Sequence, residues 1–267
     1  MYNLIYKKAN SCDTAQNLLA QAEDGKLLAG GMTLIPTLKQ RLAAPDMLVD
    51  LSGIDGFTNI SISDDKLQIG AMATHAVVAD DEIVRAHLPG LAELAGQIGD
   101  PHVRNRGTIG GSVANNDPSA CYPAALLATD AIIHTDRQTF TAEDFFVGMF
   151  ETALDINEII TAIHFPIEQR CAYIKCPNPA SRYALAGVCV SQQNDGQVKV
   201  AVTGAGQDGV FRSGDIEAAL EKQFTPDALN DLSINADILL SDMHASAGFR
   251  AHLVVQMAKQ AVIKLQD

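Results

Sequence analysis

The stretch from Lys26 to Leu51 limits the fold more than any other. KLLAGG (26–31) is a short apolar run that ends on two glycines, so it reads as a buried strand and a tight turn. MTLIPTLKQRLAA follows with helical spacing. Its Pro36 fits only in the first helical turn, where no intrahelical N–H is required, and Pro45 closes the helix. MLVDL (47–51) is a second apolar run. Strands joined through a helix are parallel neighbours, because a two-residue hairpin cannot make that connection. The stretch therefore predicts a strand–glycine turn–helix–strand unit and local α/β layering.

Upstream, residues 13–23 place Ala15, Leu18, Leu19 and Ala22 at helical spacing, with Ser11 or Asp13 as the cap. Downstream, ISI (60–62) and KLQIGA (66–71) read as strands around an Asp-Asp turn. Thr74 opens a helical stretch, and 88–99 is a second helix. YPAALLATD (122–130) is helical, AIIHT (131–135) a strand, AEDFFVGM helical and EIITAIHFP (158–166) a strand ended by Pro166. A boundary falls near residue 168. Beyond it, AYIK is followed by ALAGVCVS and QVKVAVTG, which a polar QNDG turn joins as an antiparallel hairpin. Helices are expected at 215–222 and 225–231. A long terminal helix carries the stripe Phe249, Leu253, Met257, Ala261 and Leu265. The expected class is α+β, in two parts of residues 1–168 and 169–267.

Composition narrows the function. The chain has 267 residues, 47% of them apolar, and a formal net charge of −13. That balance opposes binding to nucleic acid or to an anionic membrane, both of which need clustered Lys and Arg. No apolar run reaches the ~20 residues of a membrane helix. The N-terminal MYNLIYKKANSCD lacks the apolar core of a signal peptide, so a cytoplasmic protein is expected. The five cysteines fit reduced thiols. Cys171 and Cys176 have no second pair nearby, and no metal site is expected.

Two glycine loops stand out. LAGGMT (28–33) and RGTIGGSVAN (106–115) each pair adjacent glycines with a threonine, and neither contains a lysine. Adjacent glycines let a backbone approach a ligand closely and turn its N–H groups toward one point. A P-loop instead uses a Lys and a metal-bound Ser or Thr for phosphoryl transfer. Without the lysine, the pair reads either as two tight turns or as a clamp that holds a pyrophosphate without transferring it. Gly204, Gly206 and Gly209 spell G-x-G-x-x-G, but no helix opens on them, so a surface turn is expected. His102 lies beside the second loop and is expected to be structural. Arg104 and Arg106 flank that loop, and three roles stay open for them: support for the pyrophosphate, docking of a partner, or plain solvent exposure.

The phrases LLAGGMTLIP, HVRNRGTIGGSVAN, PAALLATDA, EIITAIHFP, KCPNPASRYALAGVCVS and HASAGFRAHL together resemble the FAD-binding medium subunits of molybdenum hydroxylases. Carbon monoxide dehydrogenase and xanthine dehydrogenase belong to that family. The resemblance covers nearly the whole chain. It implies a flavin-binding region of two α/β subdomains (PCMH-type), then a small α+β domain with an antiparallel sheet. Carried over by position, Leu27, Leu28, Ala29, Gly30, Gly31, Met32 and Thr33, with Thr108, Ile109, Gly110, Gly111 and Ser112, line the FAD pyrophosphate and ribityl chain. Ile160 packs by the flavin and Lys175 sits near it. The family's second acid is replaced here by Cys121 in DPSAC, with Asn116 or Asp117 as the substitute contact. An aromatic position near the flavin is Leu94.

The resemblance also implies the chemistry and the partners. A small subunit with [2Fe–2S] clusters passes electrons to this FAD from a large subunit that holds the molybdenum cofactor, in a heterotrimer or its dimer. The flavin delivers them to NAD⁺, O₂, a quinone or another acceptor, and no residue of this chain is expected to be catalytic. Two rivals follow from the same residues. One is a self-contained flavin oxidase of the vanillyl-alcohol oxidase type, for which the segment after residue 168 is short. The other is a scaffold that has lost FAD, which Cys121 leaves open.

Overall fold

The computed structural model describes residues 1–266. The first unit runs β1 (Ile5–Lys8), α1 (Cys12–Leu19), β2 (Gly25–Leu28), α2 (Leu34–Lys39) and β3 (Met47–Asp50). The strands form a sheet in the order β1-β3-β2. Leu28 pairs with Asp50 in a parallel register, as the Lys26–Leu51 pattern predicts. Ser11 caps α1 by accepting from the Thr14 N–H. Ala15, Leu19, Met47 and Val49 fill a small core between helix and sheet. β1 is an addition to the expected elements. All four of its residues are exposed, so it carries no alternating pattern that a sequence reading detects.

The second unit adds β4 (Ile60–Ser63) and β5 (Lys66–Gly70), then a run of short helices. These are α3 (His75–Asp80), α4 (Glu82–His87), α5 (Pro89–Gly96), α6 (Pro101–Arg104), α7 (Ile109–Asn115) and α8 (Tyr122–Ala128). β6 (Ile132–Thr135), β7 (Thr139–Thr141), α9 (Ala142–Phe145), the hairpin β8 (Phe146–Gly148) and β9 (Glu151–Thr152), and β10 (Ile160–Pro166) complete it. Its five-stranded sheet has the order β4-β5-β10-β6-β7, and every pair is antiparallel. Leu67, Ile69, Ile133, Ile163 and Phe165 face the helices in the largest core.

Two local expectations change here. AEDFFVGM is helical only to Phe145 and then becomes a strand, because Phe146 pairs with Thr152. The stretch after Thr108 is not a loop but α7, whose two glycines hide its helical character. Thr108 caps it through the Gly111 N–H at 3.1 Å.

The third unit is a four-stranded antiparallel sheet of β11 (Gln169–Pro177), β12 (Ala184–Gln193), β13 (Val198–Thr203) and β14 (Phe211–Arg212). The expected hairpin is β12–β13, with Val190 opposite Val200. α10 (Gly214–Lys222) and α11 (Ala247–Gln266) cover one face. The segment expected as a helix at 225–231 is a 3-10 turn over Pro226–Leu229. On α11, Leu253, Met257, Ala261 and Leu265 are buried but Phe249 is 49% exposed, since the first turn overhangs the sheet. Buried Arg250 pins that turn, donating to the carbonyls of Leu185 and Gly204 and to Asp242. Gly204, Gly206 and Gly209 form a turn between β13 and β14, with no helix opening on them.

Candidate functional site

A cavity of about 590 Å³ opens where the three units meet. That lies within the ~300–1,000 Å³ of small-molecule sites. The first unit supplies the end of β2 and the segment to Leu34. The second supplies Ala71 and Met72 just after β5, the start of α3, α7, the DPSAC segment and the start of β10. The third supplies Lys175 and the turn after β11.

The two glycine loops meet, but they offer different chemistry. The N–H groups of Ala29 through Leu34 donate to no described residue, although the segment lines the cavity. At the start of α7 the amides from Ile109 to Ser112 are already used. Ile109 N–H bonds to the Ala73 carbonyl at 3.0 Å and Gly110 N–H to the Ala71 carbonyl at 2.9 Å. Gly111 N–H bonds to the Thr108 hydroxyl and Ser112 N–H to the Thr108 carbonyl. The first loop therefore has the longer row of free amides, while at the second the Thr108 N–H and the Thr108 and Ser112 hydroxyls donate to no described residue. Backbone N–H groups shut away from protein acceptors need another partner, which makes the first loop a ready acceptor-binding surface.

The arginines resolve in a similar way. Arg104 donates to the carbonyls of Ile98 and Gly99 at 3.1 and 3.2 Å, closing the end of the α5 region. The Arg106 side chain is exposed and only its backbone reaches the loop contact. Neither guanidinium lines the cavity. His102 is also exposed, beside Asp100.

The opposite wall is built around Lys175. Its ammonium donates to the Gln97 carbonyl at 2.9 Å, the Arg182 carbonyl at 2.9 Å and the Cys121 sulfur at 3.5 Å. Those three partners use its three protons, so it presents charge to the cavity without a spare donor. Two carboxylates also line the space. Burial pushes the Asp117 carboxyl up, opposed by the Ser119 N–H. Burial acts the same way on Glu158, but hydrogen bonds from Thr135, Asp155 and Gln138 outweigh it and hold its pKa down. Tyr183 at the rim is raised by burial, then by Asp117 and Cys121.

Of the residues expected at the site, Leu27, the run 29–33, Thr108, Gly110 to Ser112, Asp117, Ile160 and Lys175 all line the cavity. Three do not. Leu28 is one step along β2 from Leu27, and strand alternation turns it to the other face. Ile109 is fully buried in the main core. Asn116 ends α7 in the left-handed region at φ 40° and donates to the carbonyls of Gly148 and Glu151, both at 2.8 Å. It anchors the β8–β9 hairpin and does not line the cavity, whereas Asp117 does. Leu94 belongs to the core and not to the cavity wall. The sequence reading missed His75, Glu158 and Tyr183. No local signal marks them, because each joins the site only through packing of distant segments.

Comparison with known proteins gives this cavity its context. Residues 2–168 match the family model described as the FAD binding domain in molybdopterin dehydrogenase. The nicotine 6-hydroxylase medium subunit of Paenarthrobacter nicotinovorans is 32% identical, over 97% of this chain and 96% of that protein. The carbon monoxide dehydrogenase medium chain of Hydrogenophaga pseudoflava is 34% identical, over 96% and 95%. Among solved structures, carbon monoxide dehydrogenase from Hydrogenophaga pseudoflava superposes with a TM-score of 0.88 at 32% identity, covering 98% of this chain and 96% of that one. Quinoline 2-oxidoreductase from Pseudomonas putida 86 gives 0.85 at 25% identity, covering 98% and 96%. The chain belongs to the family of FAD-binding medium subunits of molybdenum hydroxylases.

Proposed function

We propose that this chain is the FAD-carrying electron-transfer subunit of a molybdenum hydroxylase. The observation that carries the reading is the row of unpaired N–H groups from Ala29 to Leu34, set on a cavity of about 590 Å³ that three units enclose. Such a row suits the oxygens of a pyrophosphate held in place. Bound FAD supplies a centre that accepts single electrons and delivers them in pairs. The chain's own residues bind, orient and shield. The loop 29–34 holds the pyrophosphate, and the hydroxyls of Thr33 and Ser112 stand in the same wall. Ile160 and Leu154 give an apolar face that excludes water. Lys175 acts by charge, because its protons are committed elsewhere. Cys121 touches that ammonium where relatives place an acid, so Asp117 is the remaining carboxylate of the DPSAC segment at the site.

The reading divides the chain into a flavin-binding part, residues 1–168, and a C-terminal part, residues 169–267. Its partners are a small [2Fe–2S] subunit and a large subunit with the molybdenum cofactor, in a heterotrimer or its dimer. The acceptor is NAD⁺, O₂, a quinone or a similar oxidant. Among the described residues no helix is long and apolar enough to cross a membrane, and the five cysteines are unpaired, which supports a cytoplasmic location.

The test is purification of the chain with its partners from the native host. One FAD per chain, with flavin absorbance near ~450 nm and iron and molybdenum in the complex, is the expected result. A colourless chain that takes up no FAD overturns the reading. Turnover of a small alcohol by the isolated chain favours the self-contained oxidase instead.

A further inference from the structure

We propose that Cys121 is an oxidation site, where hydrogen peroxide converts the thiol to a sulfenic acid whose oxygen Lys175 and Tyr173 hold. Of the five free cysteines, Cys121 alone lines the cavity. Cys12 and Cys176 are partly exposed elsewhere, and Cys171 and Cys189 are sealed in the main core. The oxidation stands whether or not FAD is the ligand of the cavity.

Two donors converge on the Cys121 sulfur from β11. Tyr173 and Lys175 are alternate residues of that strand, so both side chains leave the same face. The Lys175 ammonium donates to the sulfur at 3.5 Å. Tyr173 is 1% exposed, and its hydroxyl is buried without a hydrogen-bond partner among the described residues. The ring leans toward the row of Lys175. Gly187 pairs with Lys175 across the ladder, and a Cβ on Gly187 would stand 2.3 Å from the tyrosine oxygen. The hydroxyl thus lies beside the Cys121 sulfur; burial, and then that neighbour, push its pKa up.

A buried hydroxyl with no partner is uncommon, because it forfeits the hydrogen bond it makes to water. A thiol sulfur is only a weak acceptor. An oxygen on that sulfur is a strong one, and it stands between the unpaired tyrosine O–H and the ammonium.

The step balances with peroxide as the one co-reactant. The sulfur attacks a peroxide oxygen, an S–O bond forms and the O–O bond breaks. The departing hydroxide takes the thiol proton and leaves as water, so R–SH and H₂O₂ give R–SOH and H₂O. Sulfur loses two electrons and peroxide gains them. The Lys175 ammonium offsets negative charge at the sulfur during the attack. A thiol reductant reverses the product.

The full-length chain is treated with a hydrogen peroxide series, the peroxide is destroyed with catalase, and the chain is unfolded in dimedone, which tags sulfenic acids. Peptide mass spectrometry reads each cysteine for the tag and for added oxygen. Cys121 should react at about tenfold lower peroxide than Cys12 or Cys176, although both of those are more exposed. Tyr173→Phe removes a hydroxyl that bonds nothing in the reduced protein, so the fold is not put at risk. It should lower the Cys121 tag by about threefold or more. Modification of Cys12 and Cys176 ahead of Cys121 overturns the proposal, and so does an undiminished Cys121 tag in Tyr173→Phe. Either result leaves the FAD reading untouched, since titration of the reduced chain with FAD decides that separately.

Discussion

The Cα of Gly30 packs directly on the peptide between Arg106 and Gly107. A Cβ on Gly30 would overlap the Arg106 carbonyl oxygen and stand 2.7 Å from both the Arg106 carbonyl carbon and the Gly107 Cα. This is how two loops far apart in sequence become one wall. Backbone cannot yield by changing rotamer, so Gly30→Ala must push the loops apart. A loss of about 2–3 kcal/mol in urea denaturation, with reduced FAD content, is expected. Gly248→Ala is the control, because a Cβ there meets nothing within 4 Å. Its stability should be unchanged or slightly raised. Equal behaviour of the two variants would refute the loop contact.

Lys175 joins the α5 end to the turn after β11 through the carbonyls of Gln97 and Arg182. Lys175→Met leaves both acceptors without their donor, at about 1–3 kcal/mol for each that stays buried. Chemical denaturation should show a loss of about 2–4 kcal/mol, accompanied by weaker FAD binding as the cavity loses a positive charge. A variant as stable as the wild type would show that water replaces the ammonium without cost.

Cys121 lies 3.5 Å from the Lys175 ammonium, so restoring an acid at this position tests how the wall balances charge. Cys121→Asp should be tolerated while Lys175 is present. In a Lys175→Met background the same change leaves an unpaired buried carboxylate, which costs about 3–5 kcal/mol. A double-mutant cycle should therefore give a coupling above about 1 kcal/mol. Additive effects would place the two side chains in separate environments.

Asn116 combines a left-handed backbone with two donated hydrogen bonds to the β8–β9 hairpin. Asn116→Gly keeps the backbone conformation but loses the amide, for about 1–3 kcal/mol. Asn116→Asp should be worse than Asn116→Gly, because a carboxylate then faces two carbonyl oxygens. Thermal melts of the pair decide this, and the reverse order would contradict the anchoring role.

The rings of His134 and His164 stack 3.7 Å apart on neighbouring strands β6 and β10. Burial, then the charge of His134, then Lys66 hold His164 down to about 4. Burial and then Lys66 lower His134 as well. The unfolded imidazoles titrate near ~6.5. As pH falls, the unfolded chain takes up protons first, so stability is full above ~6.5 and is lost progressively down to about 4. Buried His75 contributes with the same sign. His164→Gln should flatten the fall in melting temperature across that window. The rings are partly exposed, so screening keeps the change near ~1 kcal/mol or below. An unchanged slope would assign the acid sensitivity to other groups.

Much of the fold was legible in local pattern. The Lys26–Leu51 stretch announces its parallel unit because a strand, a Pro-tolerant first turn and a second strand leave one connection. The β12–β13 hairpin is legible for a similar reason, as its alternation and polar turn are local. β1 was not legible, since an edge strand with four exposed residues carries no burial signal. Nor was α7. Two glycines depress its helical propensity, and its stability comes from the Thr108 cap and from packing on Ala71 and Ala73.

The sequence by itself determined which backbone could come close to a ligand, because glycines at 30, 31, 110 and 111 permit that wherever they fall. Only the tertiary structure decided which of those backbones still has hydrogen bonds to offer. The Ala71 and Ala73 carbonyls, brought in from the end of β5, take the donors of Ile109 and Gly110. No described residue takes those of Ala29 to Leu34. The availability of an N–H group depends on what the fold places within 3 Å of it, which no spacing of residues along the chain records.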